Sequence, residues 1–211
     1  GSARRLVAAA RQLARDAEGR GGDWREAVTL VRRQAPGLWR SLSTWERARF
    51  LRHARAQWDV HRHRAPDEVL SRLNALRSSG QLFVHAGRLA SLEALGEGVR
   101  ATWLPRGSNQ LRVLDTAEVV DCTGPDYDVT RSPDRLWKAL LARGLAAPDA
   151  LRLGIQTGPW GALVGADGSR LRCLFYVGPL LRADHWEATA VGELRVHAEH
   201  LARHLIERSW D

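Results

Sequence analysis

Methionine is missing from this chain of 211 residues, lysine occurs once (Lys138), and there are two cysteines. No long uncharged apolar run occurs, because Arg or Gly interrupts every hydrophobic stretch; this excludes a membrane-spanning helix, and no signal-peptide pattern opens the chain. Gly1-Ser2 reads as the scar of a cleaved tag. Cys122 and Cys173 both sit in apolar, strand-like runs and are expected as buried thiols of a cytoplasmic protein. The hydrolase signature Gly-x-Ser-x-Gly is absent. Histidines do not assemble a metal set. His61 and His63 are two apart, on opposite sides of a helix, and His197, His200 and His204 share a helix face with no acidic or cysteine ligand to complete it.

The charge is one-sided: 32 basic against 24 acidic residues, a net charge of +8 and an isoelectric point near 10.9. Nearly all of the positive charge is arginine, spread along the chain and interleaved with acids. That distribution reads as a compositional bias toward arginine and argues against a dedicated nucleic-acid surface. The alternative it leaves open is a non-enzymatic interaction module whose Arg-rich helices bind protein or nucleic acid.

The organisation changes near residue 80. Before it, four helices are expected. "ARRLVAAARQLARDAEG" ends on Gly19, and "DWREAVTLVRRQAPG" is capped by Asp23 with Glu26 and closes at Pro36-Gly37. "STWERARFLRHARAQWDVHRHR" is capped by Ser43 with Glu46, and "PDEVLSRLNALRSSG" starts at Pro66 and ends at Gly80. In the third, Trp45, Ala48, Leu51 and Ala54 recur at helical spacing, with Phe50 and Trp58 slightly off that line.

After Gly80 the period falls to two, and "QLFVHAGRLASLEAL", "GVRATWL" and "NQLRVL" predict a meander. "GEGVRA", residues 96–101, matches the loose form of a dinucleotide fingerprint, but strand-like residues follow it, so it reads as a hairpin turn. "AEVVDCTGP" predicts a buried strand ending at Gly124. A helix capped by Ser132 and stopped by Gly144 comes next, then strands around "GALVGADG" and "LRCLFYVGP". A last helix carries Ala188, Val191, Leu194, Ala198, Leu201 and Leu205 as one apolar stripe, with its N-terminus at Ala188-Thr189-Ala190. A strand stopped by Gly-Pro and followed by a small-residue helix N-terminus makes a plausible cradle for an electron-rich cofactor edge, because unpaired amides and a partial positive charge meet there. Ordinary strand-to-helix packing is the other reading.

At "VVDCTGPDYD", "DGSRLRCLFYVGPLLRADHWEATAVGELRVHAEHLARHL" and, upstream, "WRSLSTWERARFLRHARAQWDVHRHR" followed by "GQLFVHAGRL", the chain resembles the bacterial FAD/NAD(P)-binding oxidoreductase family, in which a helical segment is inserted into a flavin-monooxygenase-like fold. The resemblance covers most of residues 20–205. It implies an α+β or α/β chain: a helical insert or cap over residues 3–80, then over 81–211 a β-meander, further strands and a long C-terminal helix that form part of an incomplete two-dinucleotide-binding flavoprotein fold.

By the same resemblance, FAD is the cofactor and NAD(P)H a co-substrate. Thr123, Gly124 and Pro125 lie near the flavin, as do Gly178 and Pro179, and Trp186, Glu187, Thr189 and Ala190. Gly124 is bare so that cofactor can come close. His61, His63 and Arg64 are candidates for the substrate or nicotinamide side, with solvated helix-end charge as the alternative. No residue is assigned as catalytic acid or base, since the flavin carries the hydride chemistry. The family's strand–Gly-x-Gly-x-x-Gly–helix is not present, and Pro179 stands where an acid usually holds the ribityl chain. The expected partner is therefore a nucleotide-binding N-terminal half, with homodimerisation through an exposed apolar face as a second possibility. Alone, the chain is expected to be inactive, with weak or no FAD affinity.

Overall fold

Short polar side chains set the helix starts, and the computed structural model describes residues 1–208. Asp23 accepts a hydrogen bond from Arg25 N and opens α2 (Trp24–Ser41), which follows α1 (Ala3–Gly19). Ser43 accepts from Glu46 N and opens α3 (Thr44–His53). The carboxylate of Glu46 does not turn back to Ser43, as a capping box would have it. It is buried and accepts from Ala3 N at 2.8 Å, so it caps α1 from another helix.

Two helical expectations are corrected. α2 runs through Pro36 instead of closing there. An interior proline loses one ladder bond and costs about 3 kcal/mol, but the extra turn carries Trp39 and Leu42 into the core at 4 % and 6 % exposure. The single helix expected from Thr44 onward breaks at Ala54 (φ −125°, ψ −21°), and α4 (Arg55–Arg62) follows. Phe50 and Leu51 before the break and Trp58 after it all pack against the cluster that contains Trp39 and Trp186.

α5 (Asp67–Ser78) precedes three antiparallel strands, β1 (Gly87–Leu95), β2 (Gly98–Pro105) and β3 (Arg112–Thr116), in the order β1-β2-β3. Leu95 pairs with Gly98, so Gly96-Glu97 is the hairpin turn that the sequence indicates. β2 registers Arg100 opposite Asp115, and their side chains form a two-bond ion pair at 2.7 and 2.8 Å.

No strand forms at residues 117–125. The expected buried strand "VVDCTGP" is an exposed segment, with Val120 79 % exposed, because it has no neighbouring backbone to pair with among the described residues. Cys122 on it and Cys173 on β5 (Arg170–Phe175) are both exposed, so the buried-thiol expectation is corrected. α6 (Arg135–Ala142) is capped by Asp134, two residues past the expected Ser132. β4 (Ala162–Val164) and β5 form a two-stranded antiparallel sheet, and α7 (Val191–Glu207) starts at Val191 rather than within Ala188–Ala190.

The chain is thus α+β with small antiparallel sheets. It divides into two compact units, residues 1–63 with 126–208, and residues 64–125. The division does not fall at residue 80: α5 goes with the meander, and α1–α4 pack with the C-terminal third. In the first unit Ala3, Trp39, Leu42, Leu153 and Trp186 form one buried cluster, while Val129, Ala146, Ile155 and Leu163 form another. Trp39 stacks on Trp186 (centroids 4.7 Å apart), meets Phe50 edge-on, and donates Nε1–H to the Ala183 carbonyl at 2.8 Å. Trp39→Ala is expected to cost about 3–5 kcal/mol, measured as a lower urea midpoint with an unchanged slope.

Candidate functional site

Where β5 ends and α7 begins, the first unit holds an open cavity of about 980 Å³. Gly178 and Pro179 end the strand segment, a 3-10 turn runs over Pro179–Ala183, and the chain turns through residues 184–190 into α7. The side chain of Ala190, the N-cap, accepts nothing, so among the described residues the first-turn amides of α7 have neither an intrahelical nor a side-chain partner. Gly192 and Glu193 of that turn line the cavity, together with Tyr176 and Val177 from the strand end.

A second wall comes from Gly158–Gly161. Trp160 adopts φ 57° and ψ 15°, a left-handed conformation that costs an indole-bearing residue on the order of 1–2 kcal/mol. Its ring lies flat on His204, centroids 3.8 Å apart, and half of the residue stays exposed at the cavity. Gly161 follows with φ 80°, and a Cβ there would sit 2.2 Å from the Tyr176 carbonyl oxygen. Glycine is required at 161 both by the backbone and by the strand beside it.

The third wall is helix α2, through Arg32, Pro36 and Arg40. Asp184 and His185 from the turn and His197 and His200 from α7 line the cavity as well. Burial pushes His185 down to about 4, with His197 and Arg40 adding repulsion; burial and His200 lower His197 as well. Asp184 is raised by burial, against the pull of Arg47.

Behind the cavity, Glu187 is 1 % exposed. It accepts from Trp58 Nε1 at 3.0 Å, forms an ion pair with the buried Arg62, and lies 3.9 Å from Arg32 Nε, while Arg32 also binds Glu193 at 2.7 Å. Trp186 is 5 % exposed, packed on Trp39 and Phe50, with the Arg182 guanidinium over its ring at 4.2 Å.

The residues singled out in the sequence therefore separate. Gly178, Pro179, Thr189 and Ala190 lie on the segment between the lining residues Val177 and Gly192, but none of the four lines the cavity itself. The side chains of Trp186 and Glu187 are spent in the core and hold that segment in place. Thr123, Gly124 and Pro125 belong to the other unit, on an exposed loop where Thr123 N donates to Asp121 at 2.8 Å and holds its carboxyl below the usual range. Gly124 has φ 83° and open space around a would-be Cβ, so its backbone conformation alone accounts for glycine.

His61 meets Trp24 edge-on and donates Nδ1–H to the Gln57 carbonyl, while His63 ends α4 beside Arg62. Arg64 starts the other unit. The sequence reading passed over Arg62, set between the two histidines, although it is the buried partner of Glu187. It also passed over Trp160, Arg40 and His185. No cluster of three or more His, Cys, Asp or Glu side chains suited to a metal occurs among the described residues, and no helix there is long and apolar enough to cross a membrane.

Two outcomes follow. Arg62→Met leaves Glu187 charged and buried with only Trp58 and a distant Arg32, and is expected to cost about 3–5 kcal/mol in urea unfolding; Arg62→Met with Glu187→Gln recovers part of that loss. Unfolding frees His185 and His197 to take up protons near their ordinary value of 6.5, so stability falls as pH drops from about 6.5 toward 4. Asp184 acts in the opposite sense, its contribution being lost as pH rises from 3.8 through its raised folded value. Urea midpoints across this range should slope downward toward acid, and less steeply in His185→Asn. Comparison of the chain with protein-family models, with curated proteins and with solved structures finds no match.

Proposed function

We propose that this chain is the C-terminal portion of a flavin-dependent, NAD(P)H-linked oxidoreductase, with α1–α4 as a helical layer beside its flavin cavity. The observation that carries the reading is the cavity of about 980 Å³ at the junction of the Gly178-Pro179 strand end and the start of α7. Its lining suits a flat ring with a polar edge. Trp160, Tyr176, Val177, Leu181 and Val196 supply aromatic and apolar surface, and the α7 first turn supplies amide donors with a partial positive charge.

In this reading the first turn of α7 and the side chain of Trp160 hold the cofactor, with Gly178, Pro179, Thr189 and Ala190 on the segment before that turn. Trp186 and Glu187 position the segment without touching the cofactor. His61 and His63 stay in the proposal as the substrate side, while Thr123, Gly124, Pro125 and Arg64 belong to the other unit and are not assigned to this cavity. A bound flavin supplies hydride transfer with NAD(P)H, and the protein binds it, orients it and limits water around it. The proposed partner is a nucleotide-binding half. The uncovered apolar side chains of Val191 and Ile206, each more than three-quarters exposed on α7, are surface that such a half or a second copy would cover.

Titrating the chain into FAD and following flavin fluorescence tests this. Weak but saturable quenching is expected, weak because adenine and pyrophosphate contacts belong to the other half. Trp160→Gly should reduce the quenching while holding the urea midpoint within about 1 kcal/mol, since relief of the left-handed backbone offsets the lost ring stack. A linear, unsaturating response in the unaltered chain would sink the reading.

A further inference from the structure

Positive and protonatable groups converge on one wall of the cavity. Arg40 Nη1 lies 3.5 Å from His185 Nδ1, and the rings of His185 and His197 meet edge-on with centroids 4.5 Å apart. A guanidinium can only donate, so His185 Nδ1 is the acceptor and the neutral ring carries its hydrogen on Nε2. Arg40 is thereby tied to a neutral ring. Among the described residues it has no carboxylate within ion-pair distance. Arg32, about two turns away on the same helix, differs: Glu193 and Glu187 neutralise it.

The other charged groups facing this wall are accounted for. From the turn before α7, Asp184 accepts from Thr157 at 3.5 Å and feels Arg47 and Asp149. From α7, Glu193 is held by Arg32, and His200 adds a further imidazole near His197. The stretch 157–161 brings Thr157 and Trp160 but no charge. Arg40, His185 and His197 therefore present donors to an open volume, with Glu193, itself held by Arg32, acting on His197. Burial disfavours the protonated rings, and an anion placed among them would offset that cost.

We propose that this wall is a subsite for the anionic group of a small ligand, a carboxylate or a phosphate ester, gripped by Arg40, the Nε2–H of His185 and the His197 ring. The proposal deepens the flavin reading by naming the class of molecule that shares the cavity. It rests on that reading only for the ligand's role as substrate. The donor geometry stands without it.

The test follows the histidine ring signals of the full chain by NMR as inorganic phosphate or acetate is added, with chloride matching ionic strength. His185 and His197 are expected to shift together and saturate. Binding should tighten as pH falls from about 7.5 to about 5.5, because the anion favours the protonated rings. Arg40→Gln should weaken binding about tenfold, the loss of one charge-assisted hydrogen bond, whereas Arg33→Gln, on the same helix but outside the cavity, leaves it unchanged.

Tighter phosphate than acetate binding identifies a phosphate ester as the ligand, and the reverse order a carboxylate. Shifts that track ionic strength without saturating, or equal binding in Arg40→Gln, overturn the subsite. The titration contains no flavin, so its failure is separate from failure of the fluorescence experiment. A chain that quenches flavin without binding either anion loses only the subsite, and one that binds anions without quenching flavin loses only the flavin reading.

Discussion

Glu187 keeps a carboxylate almost wholly out of water, and the arrangement around the cavity depends on how it is held. Arg62 from α4 and the indole N–H of Trp58 meet it directly, with Arg32 of α2 at the margin. Withdrawing an acid and a base from solvent is costly unless each finds the other in good geometry. The pair therefore stabilises one arrangement of α2 and α4 against the segment that leads into α7. Trp186, the preceding residue, fills the Trp39–Phe50 pocket from the same segment. Apolar packing supplies bulk attraction there, and the charged pair selects the register.

That anchoring leaves the front of the segment available. With the side chains at 186 and 187 turned inward, the chain reaches the cavity at Gly192 and Glu193, in the first turn of α7. Across from it, Trp160 is kept in a left-handed conformation that the protein would relieve by using glycine at that position. The same large cavity brings together strain at a half-exposed indole and the first turn of α7. It is what draws the functional reading to this place. The Arg40–His185–His197 wall gives the same volume a chemical polarity, donors on one side and aromatic surface on the other.

Legibility in the sequence followed the range of the forces involved. Capping at Asp23 and Ser43, the Gly96-Glu97 turn and the meander depend on neighbours a few residues apart, and all are readable from local pattern. Pro36 reads as a stop because its local cost is visible, while the burial of Trp39 that outweighs it is not. Ala54 has no breaker chemistry, so nothing in the local pattern marks the break there. Val119 and Val120 look like a strand, but a strand needs a neighbour's backbone, and local composition does not supply one. In the candidate site, the Gly178-Pro179 strand end and the small residues before α7 were readable. Arg62, Trp160 and His185 were not, since their roles come from partners 125, 44 and 145 positions away, in Glu187, His204 and Arg40.

By itself, the sequence determined the segmentation: helices first, an antiparallel meander next, then a strand running out toward Gly178-Pro179 and a long terminal helix, all governed by backbone propensities and short-range hydrogen bonds. Only the tertiary structure decided that α1–α4 pack with the C-terminal third, that Trp186 and Glu187 face inward, and that arginine and histidine side chains from α2, the turn before α7 and α7 itself meet in one cavity. These outcomes rest on burial and on charge pairing between distant residues, whose energies exist only once the chain has brought both partners out of water together.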